Sequence, residues 1–139
     1  MKKTFRSVLT FVLALVMMVT CMVGTAFAKS SDSTTIEGSV ASANVSYTRT
    51  SATATTKYGG STSAYVYAKV TAYYESGDFD YYRTAPGDQL PGYSAASVTI
   101  SIGGAQVRGA AGAHEVHYGA HHWTPNTSSG ILLQGAIPG

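Results

Sequence analysis

The sequence predicts an all-β fold, a small antiparallel β-sandwich or small barrel of about six to eight short strands. Three observations carry that expectation. Apolar and polar side chains alternate with period two over 64–75 and again over 97–102. Gly-Gly, Ser-Gly and Pro-Gly pairs stand between such runs, where turns would be needed. No segment after residue 28 combines a helical period with capping residues.

Residues 1–28 read as a secretory signal peptide. Lys2, Lys3 and Arg6 form a positive start, 8–23 is an apolar run, and Ala26-Phe27-Ala28 offers the small side chains that signal peptidase reads. The segment is also about long enough to span a bilayer. The polar Lys29-Ser30-Ser31-Asp32-Ser33 that follows favours cleavage, so membrane contact is expected only before the signal is cut. The mature chain would begin at Lys29 and act as a secreted, extracellular protein. In general style it resembles the short exported all-β proteins of Gram-positive bacteria, a group that includes small bacteriocins.

Loss of the signal changes the chemistry of what remains. The formal charge of +2 includes Lys2, Lys3 and Arg6, so the mature chain is close to neutral. No basic stripe is left to neutralise phosphates, which argues against a nucleic-acid partner. The single cysteine, Cys21, leaves as well. A mature chain without cysteine has no disulfide to rest on and must be held by burial and hydrogen bonds.

Residues 29–35 read as a polar N-terminal tail and 36–139 as a single β domain. Ile36, Gly38 and Val40 open an alternating segment that continues to about Thr48, and a small, threonine-rich strand follows over 51–57. The clearest strand is 64–75. Its alternation puts Val66, Ala68, Val70, Ala72 and Tyr74 on one face and Tyr65, Tyr67, Lys69, Thr71 and Tyr73 on the other. Ser76-Gly77 would turn it into a strand over 78–83, and 84–93 reads as a loop. In 97–102, Val98, Ile100 and Ile102 point in. A short strand to Val107, another over 114–123, and a last one over 131–133 complete the expected set. Residues 52–60 also echo residues 96–104: each is a small-residue strand closed by Gly-Gly and followed by another strand.

Two groups of residues could carry function. All four histidines fall within His114-Glu115-Val116-His117-Tyr118-Gly119-Ala120-His121-His122. Tyr118 stands where a helical His-Glu-x-x-His zinc motif needs histidine, so that motif fails. Read as a continuous strand, alternation gathers Glu115, His117, His121 and Trp123 on one face. Residues two apart are separated by about 6.6 Å, so Glu115 and His117 could grip one ion, whereas His121 could join only if Gly119 bends the strand. No resident cofactor is expected, and weak zinc or copper binding is the most these donors suggest. The second group is Tyr65, Tyr67 and Tyr73, a possible platform for stacking on sugars or a protein surface. Asp78 and Asp80 fit no calcium-loop spacing and read as solvated turn charges.

No nucleophile elbow, phosphate loop or catalytic thiol is present, so the chain does not read as an enzyme. The expected function is that of a secreted, non-enzymatic binding or interaction module with a cell-surface glycan or protein as partner. The competing expectations are a secreted antibacterial or toxin-like protein and a metal-binding protein that uses the histidine cluster.

Overall fold

A computed structural model describes residues 29–61, 63–85, 90–91 and 95–139. The expected signal at 1–28, and Pro86-Gly87 of the expected loop, lie outside the described residues. The protein is an all-β sandwich. In chain order the strands are β1 (Ser31–Ile36), β2 (Ser39–Tyr47), β3 (Ser51–Tyr58), β4 (Tyr65–Ser76), β5 (Phe79–Ala85), β6 (Leu90–Pro91), β7 (Ala95–Ser101), β8 (Gln106–Tyr118), β9 (His121–Trp123), β10 (Asn126–Gly130) and β11 (Ile137–Pro138). One sheet has the order β1-β2-β3-β7. The other follows β10-β8-β4-β5-β11, with β6 beside β4 and β9 beside β8. Among the described residues no helix is long and apolar enough to cross a membrane.

Alternation dictates the core. From the smaller sheet Ala41, Ala43, Val45, Ala52, Ala54, Tyr58, Ala96 and Ile100 point inward; from the larger sheet come Val66, Ala68, Val70, Ala72, Tyr74, Val107, Ala110 and Val116. Most of these side chains are small, and the volume between them is filled by a few large ones. Tyr58 is fully buried, and its hydroxyl donates to the Ile36 carbonyl at 3.0 Å. The outward face of the smaller sheet is paired through hydroxyls: Thr53 to Thr99 at 2.8 Å and Thr55 to Ser97 at 3.0 Å.

Several strands differ from the sequence expectation, and each difference traces to a turn or an edge. Residues 29–35 are not a tail: 31–36 form β1, an edge strand whose outer residues are polar because one side of it meets water. Glu37 and Gly38 both have positive φ, at 51° and 77°, which is the requirement of a type I′ hairpin turn. That turn splits the expected 36–48 segment, so Val40 faces solvent while Val45 is buried. The β4–β5 turn falls on Gly77-Asp78 rather than Ser76-Gly77, since Ser76 pairs with Phe79. The expected short strand to Val107 and the strand beginning near 114 are one strand, β8. A register shift opposite Tyr73 and Tyr74 leaves Arg108 as an extra residue, a β-bulge that keeps both Val107 and Ala110 inward. Residues 131–133, expected as the last strand, instead begin the crossing that leads to β11.

The echo between 52–60 and 96–104 has a spatial counterpart. β3 and β7 are antiparallel neighbours, with Ala54 opposite Val98, and the strands that follow them, β4 and β8, are antiparallel neighbours in the other sheet. Two β-β units paired antiparallel in both layers are related as a two-fold axis would relate them.

After β10 the chain crosses the outer face of the larger sheet. Ile131 donates its N–H to the Arg108 carbonyl at 3.0 Å, and its backbone occupies the space a side chain on Gly109 would need. The crossing ends in β11, which pairs parallel to β5, Ile137 opposite Tyr81.

Candidate functional site

β4 and β8 are the central strands of the larger sheet, and their pairing brings the two candidate groups together. Tyr65 lies opposite His117 and Tyr67 opposite Glu115, all four on the outward face. The Tyr65 and His117 rings meet edge to face, with centroids 5.5 Å apart and planes at 82°. Burial, reinforced by the nearby Glu115 carboxylate and Tyr67, pushes the Tyr65 phenol pKa above its ordinary value.

Tyr73 shares this face but not this location. It sits six residues from Tyr67, about 20 Å along the strand. There it pairs with Tyr82 and lies against Gly109, beneath the C-terminal crossing. The three tyrosines therefore form no continuous platform. Between the two ends lies a pocket of about 260 Å³ lined by Lys69, Thr71, Ala111, Ala113, Asn126 and Leu132, among others. The alanines make its floor shallow, and Leu132 of the crossing supplies a wall. Sequence reading missed this pocket because Asn126 and Leu132 reach it only through the β8–β10 pairing and the crossing.

The histidine segment is a hairpin, not one strand. Tyr118 pairs with His121, and Gly119-Ala120 is the turn, with φ of 59° at Gly119. The reversal exchanges the faces expected for 121–123. His122, not His121, lies opposite His117, their ring centroids 3.7 Å apart. The metal-donor atoms of Glu115, His117 and His122 all lie within 4.8 Å of one another. The His117 Nε2 atom is buried without a hydrogen-bond partner, 3.9 Å from the Glu115 carboxylate. His121 turns towards the smaller sheet and meets Glu37 of the β1–β2 turn at 3.1 Å. Asp78 and Asp80 are exposed, Asp78 in the turn and Asp80 opposite Glu75 on β5.

His114 occupies a different environment. It is buried between the sheets, with Nδ1 2.8 Å from the Thr56 hydroxyl and Nε2 2.7 Å from the Thr127 hydroxyl. The Thr56 hydroxyl donates its only proton to the Tyr67 carbonyl at 2.7 Å. It must therefore accept from His114, which fixes the proton on Nδ1 and leaves Nε2 to accept from Thr127. Gly112 leaves the room for this arrangement, because a Cβ there would fall 2.5 Å from Nε2. Burial drives the His114 pKa down from 6.5 to about 4. With both nitrogens engaged, His114 has no lone pair to offer a metal or substrate.

Comparison with protein-family models, with curated proteins and with solved structures finds no match for this chain.

Proposed function

We propose that this protein is a secreted, non-enzymatic β-sandwich that binds a cell-surface or extracellular ligand on the outer face of its larger sheet. Among ligands, the face suits a glycan better than a protein surface. The observation that carries the reading is the row formed by Tyr65 and Tyr67 with the pocket beside them. Sugar rings present apolar C–H faces, which stack on aromatic rings, and hydroxyl edges, which need donors and acceptors. Tyr65 and Tyr67 offer the first, and Lys69, Thr71 and Asn126 in the adjoining pocket offer the second. Export is supported by the signal-like 1–28 segment and by the position of β1, which begins at Ser31, just past the expected cleavage site.

The test uses protein recovered from culture medium, whose N-terminal sequence should begin at Lys29. It should adhere to cell-wall polysaccharide. Replacing Tyr65 and Tyr67 together by alanine removes two contacts worth about 0.5–1.5 kcal/mol each, a loss of roughly fivefold or more in affinity. Tyr73→Ala, at the far end of the strand, should leave adhesion unchanged. A folded double variant that adheres like the parent would overturn the assignment of this face. Adhesion to surface proteins but not to polysaccharide would replace the glycan by a protein ligand.

A further inference from the structure

We propose that Glu115, His117 and His122 form a binding site for a divalent transition-metal ion, zinc or copper(II). The inference rests on the β8–β9 hairpin and is independent of the glycan reading.

The hairpin assembles the donors. Glu115 and His117 alternate onto the same face of β8, and the two-residue turn at Gly119-Ala120 folds His122 directly opposite His117. The three donor atoms already lie within 4.8 Å of one another. Around a tetrahedral ion with bonds of about 2.0–2.2 Å, donors stand about 3.3–3.5 Å apart. Side-chain rotation of little more than an ångström closes that gap, and the exposed His122 is free to make most of it. Two imidazoles and one carboxylate suit zinc or copper(II) and suit calcium or magnesium poorly.

A second observation points the same way. The buried His117 Nε2 has no hydrogen-bond partner, and the Glu115 carboxylate at 3.9 Å is beyond hydrogen-bond reach. Native interiors seldom leave such an atom unsatisfied. A metal ion between Glu115 and His122 would take its lone pair. The Tyr65 ring meets the imidazole edge to face and holds its orientation. Neither of the other histidines competes for the ion, since His114 is enclosed between two threonine hydroxyls and His121 is engaged with Glu37. Three protein donors leave a fourth position open beside Tyr65, where water or a donor from a ligand would complete the coordination.

The test is metal titration of the chelator-stripped protein, by calorimetry with zinc and by electron paramagnetic resonance with copper(II). One ion per chain is expected, with nitrogen hyperfine structure from two imidazoles in the copper spectrum. His117→Ala and His122→Ala should each weaken binding by about a hundredfold or more, the top of the range for loss of an outer-shell group. His121→Ala should bind like the parent. His122 is exposed, so its variant should fold, and circular dichroism checks that it does. No heat above buffer in the parent would overturn the site. So would unchanged binding in folded His122→Ala, or a loss in His121→Ala as large as that in His122→Ala.

Discussion

At the scale of single residues, the buried imidazole of His114 has the largest consequence for stability. Its pKa falls from 6.5 to about 4 in the folded state. In the unfolded chain the imidazole takes a proton near its ordinary value. Between these two values the unfolded state binds more protons, so stability falls as pH falls. Above about pH 6.5 the full stability is present; below about pH 4 the loss is complete, at about 3 kcal/mol. Urea unfolding at pH 7 and pH 4.5 should show most of that loss. His114→Gln, which keeps a donor and an acceptor, should remove most of the slope. Parallel pH profiles for parent and variant would assign the slope to other groups. The sequence placed His114 and His117 on opposite faces of their strand, which the fold bears out. It could not show that two threonines, 58 and 13 residues away, enclose the ring.

At the scale of elements, parity decides what was legible. Wherever a strand runs unbroken, as in β4, alternation assigns every side chain to its observed face. Wherever a two-residue turn intervenes, the chain beyond it pairs back on itself, and an expectation of continuity puts the wrong residues together. That is why His121 looked like the partner of His117 when the partner is His122. Gly119, expected at most to bend the strand, instead reverses the chain. Its φ of 59° is a conformation that costs a residue with a Cβ about 1–2 kcal/mol, and a β-branched one more. Gly119→Val should therefore destabilise the protein by about 2 kcal/mol, read as a lower urea midpoint. An unchanged midpoint would mean that the hairpin adds little to the fold. The tyrosines teach a similar lesson. Alternation correctly put Tyr65, Tyr67 and Tyr73 on one face, but the crossing over Gly109 that sets Tyr73 apart is a long-range feature without local pattern.

At the scale of the whole molecule, the two-layer all-β architecture was legible because the main strands repeat one signal: small or apolar side chains alternating with hydroxyl-bearing or aromatic ones. The strands that the sequence does not show as separate elements are the short ones, β6, β9, β10 and β11, and the polar edge strand β1. Edge strands and two-residue strands exist because of their neighbours, and a local reading does not contain the neighbours.

The hydroxyl-paired outer face of the smaller sheet sets how the molecule responds to salinity. Its cross-strand contacts, Thr53 with Thr99 and Thr55 with Ser97, join neutral groups. Among the described residues the one ion pair without histidine is Arg108–Glu75, a partly exposed contact at 3.6 Å. Such a pair contributes at most about 1 kcal/mol. Raising sodium chloride from about 10 mM to about 1 M shortens the Debye length from about 30 Å to about 3 Å, which mutes ionic contacts and leaves hydroxyl pairs alone. The melting temperature should therefore move by no more than a few degrees across that range; a fall of more than about 8 °C would mean that charge carries more of the fold. Released as proposed above, into surroundings whose salt content no cell regulates, such a protein would keep its shape in brackish and fresh water alike.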